Sequence, residues 1–488
     1  MAYIAHTQED RKRMYDALGI SSFDDLLTTL PESLRLNRLL RVPPAAPEWE
    51  VAAQLQALAG KNTHTEAFAS FLGAGAYDHF VPSAVGHITS RSEFSTAYTP
   101  YQAEVSQGTL QSIFEFQTAI ARLVAMPLAN ASLYDGASAC AEAVLLCRSA
   151  TGGHQVLMSE SVHPHTRAVV HTYLKGFGIK PTVIKATEGI TDPAAVNDKS
   201  GKKPACLVVS QPNVFGQIED ITKLAECAHE MGALLVVCVD PIAMGVLEAP
   251  GHQQADVIVG EGQSLGISQS FGGPYLGFMA ARESLLRRMP GRLIGLTVDC
   301  HGTRSYVMTL QTREQHIRRE RATSNICTNQ GLCALAATVY MSLLGKTGLQ
   351  KAAHLSMQKA HYLADRLCEL TGFKLRFTGP FFKEFVLEMP ASPSSVIRKL
   401  NGERIFAGVD LSRLQGSWRG GLLVAVTEKR TRGEMDRYIE GLKSFSARAE
   451  IAQALARELA AGDAPTVSTS AELSGPESEA ETEASLSN

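Results

Sequence analysis

The sequence predicts an α/β protein: a large domain built on a mainly parallel sheet between helices, followed by a smaller C-terminal α/β domain. Three observations carry this. The runs 206–210 and 233–239 are apolar on consecutive residues, so both faces of each strand must be covered, as in a parallel sheet sandwiched by helices. Between them, 221–231 has helical spacing, with Asp220 as its cap and Gly232 as its stop, which makes a strand, helix, strand unit. A second set of strand patterns (373–377, 384–389 and 422–427) follows a long apolar helix at 332–344 and an amphipathic one at 349–370. The spans read as an N-terminal helical arm (1–65), the large domain (66–330), the small domain with its linking helix (331–450) and an acidic Ser/Glu-rich tail (451–488) expected to be disordered.

In chain order, the arm is helix and connector: Ser22 with Asp25 is a capping signal before Leu26, and Pro43, Pro44 and Pro47 mark a bend. The glycine-rich segment 71–80 follows no clear strand and lacks dinucleotide-loop spacing, so it reads as a plain turn. The loop 97–108 concentrates Tyr98, Thr99, Tyr101, Gln102, Glu104, Ser106 and Gln107 ahead of a helix with Leu110, Ile113, Phe114 and Ile120 on one face and Ser106 as its cap. Such a loop suits a binding surface or an interface without chemistry. Residues 134–143 run from a turn into a small-residue helix whose first N–H groups suit an anion, with the Ser138 hydroxyl beside them; small residues equally mark tight helix packing. After a strand at 154–161, His163 opens another helix, either as a cap or core hydrogen bonder or stacked on a cofactor ring. The charged run 311–325 reads as a solvated helix face. Thr431 with Glu434 is a capping box for the last helix.

Asp240 stands where the 233–239 strand ends. It is either a turn residue before Pro241 or the carboxylate that keeps a pyridoxal-phosphate ring nitrogen protonated. That chemistry also requires a lysine a few tens of residues further on. No lysine lies between Lys223 and Lys346, and the candidate turn Gly260-Glu261-Gly262-Gln263-Ser264-Leu265-Gly266 carries an amide instead.

The 488 residues suffice for two cores with short appendages. With 46 basic and 49 acidic residues the net charge is only -3, which points away from nucleic acid and anionic membranes and towards small molecules and proteins. Nine scattered cysteines, without a CxxC, read as reduced thiols of a cytoplasmic protein and give no support to zinc. The N-terminus lacks the apolar core of a signal peptide, and the apolar stretch 233–246 is broken by Asp240, so no span of a membrane is expected. Gly345-Lys346-Thr347 imitates the end of a P-loop but has Tyr340 where the first glycine belongs.

Six motifs carry a resemblance over residues 3–450: Tyr98-Thr99-Pro100-Tyr101-Gln102, Glu104-Val105-Ser106-Gln107-Gly108, Ala129-Asn130-Ala131-Ser132, Gly272-Gly273-Pro274, Gln311-Thr312-Arg313-Glu314-Gln315-His316-Ile317 and Thr323-Ser324-Asn325-Ile326-Cys327. The chain resembles the alpha subunits of two-subunit glycine decarboxylases, the P-protein of the glycine cleavage system, and the N-terminal half of the single-chain form. The resemblance implies a fold-type-I pyridoxal-phosphate transferase-like architecture in which a beta subunit carries the imine-forming lysine. Gln263 then falls at the lysine position, Asp240 at the ring-nitrogen position and His163 at the ring-stacking position, the last two, with Ser138, as vestiges. The assembled enzyme, an alpha-beta pair or an alpha2-beta2 complex, is expected to decarboxylate glycine on pyridoxal phosphate and to pass the aminomethyl group to the lipoyl arm of H-protein. The resemblance further implies that Tyr98, Thr99, Tyr101, Gln102 and Glu104 wall the partner's site, with Ser106, Gln107, Ser324 and Asn325 facing substrate or channel. A non-catalytic scaffold or regulatory paralogue is the alternative.

Overall fold

The structure, a computed structural model, describes residues 5–36, 38–196, 201, 203–322 and 324–460. Thr323 and the tail from 461 onward lie outside the described residues. The chain divides into two compact units, 1–63 and 64–488. The first has helices Gln8–Leu18 and Glu48–Ala59; Thr7 and Asp10 cap the former reciprocally, and Ser22 with Asp25 opens a short turn of 3-10 helix, Phe23–Leu27.

The second unit is built on a seven-stranded sheet in the order Leu128–Ala129, Gly277–Ala281, Val257–Glu261, Leu234–Val239, Pro204–Gln211, Gln155–Ser159, Thr182–Ile184. The five strands from Val257–Glu261 to Thr182–Ile184 pair in parallel, and Gly277–Ala281 runs against its two neighbours. Side-chain alternation explains why the central runs had to be wholly apolar. Leu207 and Val209 enter one core with Leu235, Val237 and the helix Ile221–Glu230, while Cys206 and Val208 enter the other with Val236 and the helix Gly136–Thr151.

Beyond the sheet, the helix Gly331–Cys368 is interrupted at Gly345, whose positive φ of 57° breaks the helical run. By length and composition it contains a window apolar enough to cross a membrane, a feature the sequence reading passed over. Cys333, Ala334, Ala337 and Tyr340 of this helix pack in the sheet's core and Leu363, Ala364 and Leu367 in the next one. The following four-stranded sheet has Glu384–Glu388 and Gly421–Ala425 at its centre, flanked by Lys374–Leu375 and Val409–Asp410.

Four expectations need correction. Ala69–Ser70 pairs in parallel with Ile405–Phe406, and Ala69 and Phe71 sit in the C-terminal core, so this segment, assigned to the large domain 66–330, packs with the small domain instead. The strand expected at 373–377 reduces to Lys374–Leu375. Of the charged run 311–325, residues 311–321 form a series of short turns rather than one helix face, because Glu314 is buried and Arg313 donates inward to the carbonyls of Gly291, Met289 and Leu310. Residues 451–460, assigned to the tail, continue the helix Arg432–Ala460.

Candidate functional site

A cavity of about 330 Å³ opens at the carboxyl ends of the parallel strands, lined among others by Tyr77, Asp135, His163, Asp240, Glu261 and Tyr275. This is where open α/β sheets place ligands. Asp240 takes the first of the two roles the sequence allowed, that of a turn residue. Its Oδ1 accepts from the Ile242 N–H at 2.9 Å as a turn residue, and its Oδ2 faces inward. There it meets not open space but the ammonium of Lys383, at 2.6 Å. Lys383 is 1 % exposed; its Nζ also donates to His79 Nε2 at 2.8 Å and lies 3.5 Å above the Tyr77 ring. Since Nε2 accepts, the His79 proton sits on Nδ1 and is donated to Glu428 Oε2 at 2.6 Å. Burial first, then the Lys383 charge, hold His79 below its ordinary range, which keeps it neutral and able to accept.

The glycine-rich segment taken for a plain turn completes this arrangement. The Ala74 N–H and the Tyr77 hydroxyl donate to the two oxygens of Glu384, at 2.8 and 2.6 Å. Gln263 fixes the same segment from below: its Oε1 accepts from Tyr77 N–H at 2.9 Å, and its Nε2 donates to the carbonyls of Tyr77 at 3.1 Å and Ile267 at 2.7 Å. Its amide is therefore fully engaged with backbone, at 1 % exposure.

The residues present do not fit pyridoxal phosphate in this chain's own cavity. The carboxylate for a ring nitrogen is paired with Lys383. At the helix Gly136–Thr151, where a phosphate would sit, Glu261 accepts from the N–H groups of Gly136, Gln263 and Leu276 at 2.9, 3.0 and 2.8 Å. Asp135 accepts from Ser138 N–H at 2.7 Å, and the Ser138 hydroxyl bonds back to the Asp135 backbone, so the predicted phosphate hydroxyl is part of a capping box. A dianion brought here would face two carboxylates already seated on the helix N-terminus. His163 caps the helix Pro164–Lys175 through Nδ1 and turns a buried, unpartnered Nε2 inward; burial pushes its pKa down to about 4, so the ring is neutral.

On the next turns of the Gly136–Thr151 helix, Glu142 is 2 % exposed, its Oε1 lacks a partner, and its carboxylate hydrogen-bonds Ser324. Burial raises its pKa to about 7. The folded chain thus binds this proton more tightly than the unfolded chain, so the stabilisation is complete below the ordinary carboxylate range and is lost as pH rises through about 7. Glu142→Gln is expected to stabilise the chain at pH 8 by about 3 kcal/mol and to change little at pH 4. Denaturant titrations at the two pH values check this; Glu261, also raised by burial to about 7, leaves a residual slope in the variant.

None of the tyrosine loop, 97–108, lines that cavity. Tyr98 is 85 % and Tyr101 52 % exposed; Gln102 and Glu104 are exposed and Thr99 is half-buried. Tyr98 and Thr99 line a second depression with Pro274, Asn329 and Gln330. Asn325 is exposed, and Ser324 accepts from the Ile326 N–H as well as meeting Glu142. One expectation fails here: Ser106 occupies the cap position of the helix Gln107–Leu123, but its hydroxyl makes no capping bond. Gln107 clamps the hairpin Leu293–Val298/Arg304–Thr309, donating to Tyr306 C=O and accepting from Tyr306 N–H, both at 2.9 Å. The reading of the sequence missed Tyr77, His79, Lys383 and Arg292. Only the first two had a local signal, the glycine-rich segment.

The class is defined by the mainly parallel sheet and the cavity at its carboxyl edge: this is a fold-type-I pyridoxal-phosphate transferase-like fold. A sphingosine-1-phosphate lyase from Burkholderia pseudomallei shares that fold at a TM-score of 0.60 and 16% identity, covering 89% of this chain and 98% of that one. More particularly, the profile of the family described as glycine cleavage system P-protein matches residues 1–442, and the chain belongs to that family. It is 53% identical over 445 residues to a probable glycine dehydrogenase (decarboxylating) subunit 1 of Chloroherpeton thalassium, covering 91% of this chain and 100% of the relative. A relative of the same description from Desulforamulus reducens is 53% identical over 436 residues, covering 89% and 98%. A crystal structure of glycine decarboxylase (P-protein) of the glycine cleavage system, in inhibitor-bound form, superposes at a TM-score of 0.82 with 41% identity, covering 91% of this chain and 100% of that one.

Proposed function

We propose that the chain is the lysine-lacking subunit of a two-subunit glycine decarboxylase and completes the active site of a lysine-bearing partner. The assembly, one alpha-beta pair or two, releases the glycine carboxylate as carbon dioxide and passes the aminomethyl group to the lipoyl arm of H-protein. Pyridoxal phosphate, held by the partner, supplies the electron sink for that chemistry. This chain contributes a wall, formed by Tyr98, Thr99, Tyr101, Gln102 and Glu104 with Asn325, whose hydroxyls and amides orient substrate and exclude water. The observation that carries the reading is Gln263: the position that needs a free amine holds an amide engaged at both ends with backbone. The name subunit 1 borne by the relatives supports a partner. Nine free cysteines support a reducing, cytoplasmic setting.

Exchange of labelled bicarbonate into glycine tests this. The chain alone is expected to give none, and the chain mixed with its lysine-bearing partner to give sustained exchange. Tyr98→Phe and Tyr101→Phe are each expected to lower turnover of the mixture about tenfold, the scale of one lost hydrogen bond to a charged group. Exchange by the chain alone would overturn the proposal. Full turnover with both tyrosines changed would leave the chain a scaffold.

A further inference from the structure

Arg292 is one of the largest fully buried side chains among the described residues, at 2 % exposure. Its guanidinium is poorly answered. Nη2 donates to the Tyr101 hydroxyl at 3.3 Å, Nε stands 3.9 Å from Glu314 Oε2, beyond hydrogen-bonding distance, and Nε and Nη1 have no hydrogen-bond partner. Buried guanidiniums are normally saturated, because donors withdrawn from water without acceptors cost free energy. The residue also stands at a junction. Its backbone carbonyl accepts from Ala131, its head reaches Tyr101 of the exposed loop, and its counter-charge is Glu314, whose Oε2 lies 3.6 Å from His316 Nδ1.

We infer that Arg292 is the receptor for the carboxylate of the amino-acid substrate, capped in the free chain by Tyr101. The inference rests on the reading above, that this loop walls the partner's site. Nη1, beside the Nη2 that Tyr101 occupies, forms the end of a planar fork that matches both oxygens of a carboxylate. The Tyr101 ring lies over the guanidinium at 5.5 Å and is half exposed, so a rotation of that side chain would release Nη2 from its one partner without moving the backbone. As the carboxylate leaves as neutral carbon dioxide, its attraction to Arg292 fades. The arginine therefore holds substrate more strongly than transition state and acts on KM rather than on kcat.

The test uses the complex with the lysine-bearing partner and two ligands, glycine and methylamine, which has the amine but no carboxylate. Arg292→Gln is expected to weaken glycine binding and raise its KM about tenfold to a hundredfold, with kcat unchanged or slightly raised and methylamine binding unchanged. Arg292→Lys, which keeps the charge but not the fork, gives an intermediate value, and gel filtration with the partner confirms that both variants assemble. Equal weakening of both ligands would reduce Arg292 to packing, and weakened cofactor binding with glycine unaffected would make phosphate the ligand; either overturns the inference. Tyr98→Phe measured in parallel separates the two levels. If it lowers turnover while Arg292→Gln leaves glycine binding unchanged, this inference alone fails; if both are silent, the reading of the loop fails with it.

Discussion

Lys383→Met is expected to lower the unfolding free energy of the chain by about 3–5 kcal/mol, the cost of breaking a buried ion pair from one side. The ammonium answers Asp240 at 2.6 Å, donates to His79 at 2.8 Å and lies against the face of Tyr77. Methionine fills similar volume, so the loss is electrostatic rather than a cavity. What remains is Asp240 with an 11 % exposed side chain, a neutral His79 without its donor and the buried Glu384 next in sequence. The pair also joins the sheet edge at Asp240 to the strand Glu384–Glu388, so its loss should loosen the closure of the cavity as well as lower the melting temperature. Asp240→Asn should destabilise in the same direction, and the double variant should recover part of the loss, because no uncompensated charge is left behind. Thermal and urea melts of the three variants check this. A Lys383→Met chain that melts with the wild type would show that the pair contributes nothing.

Gln263→Lys restores the missing amine in the sequence and is nevertheless expected to yield no borohydride-fixed adduct at residue 263 when the chain is mixed with pyridoxal phosphate. Three obstacles stand in the way. The Tyr77 N–H and the carbonyls of Tyr77 and Ile267 lose their acceptor and donors, at about 1–3 kcal/mol for each buried group left unsatisfied. Glu261 occupies the helix N-terminus on which the phosphate would rest. Lys383 already neutralises the carboxylate that would face the ring nitrogen. Only the triple variant, with Glu261→Gln and Lys383→Met added, clears both charged seats, and mass spectrometry after borohydride treatment should then find an adduct at residue 263. An adduct at residue 263 of the single variant would sink this account of the cavity.

Much of the fold was legible because its signals are local. Two faces of a buried strand demand apolar residues at consecutive positions, and the runs around Leu207 and Leu235 have them. Asp220 accepts from Lys223 N–H at 3.1 Å as the cap that its position announced, and Thr431 and Glu434 form the expected box. The candidate sites were less legible. Ser138 and Gln107 have side chains suited to ligands, and both are engaged by nearby or packed backbone instead. Side-chain type reveals what a residue is able to bind, not which neighbour reaches it first. Arg292 carried no signal, because an arginine in a loop is ordinarily solvated and only the packing of Tyr101 and Glu314 against it makes it otherwise.

That residue 263 offers no imine-forming amine followed from residue identity, since no conformation lets an amide do the work of an amine. Which groups took over the vacated charge positions was settled by tertiary structure. Asp240 and Lys383, like Gly136 and Glu261, are far apart along the chain and meet only when the sheet, the glycine-rich segment and the C-terminal strands close on one another. Coulombic and hydrogen-bonding energies depend on separations of a few ångströms, and separations between distant residues are a property of the folded chain alone.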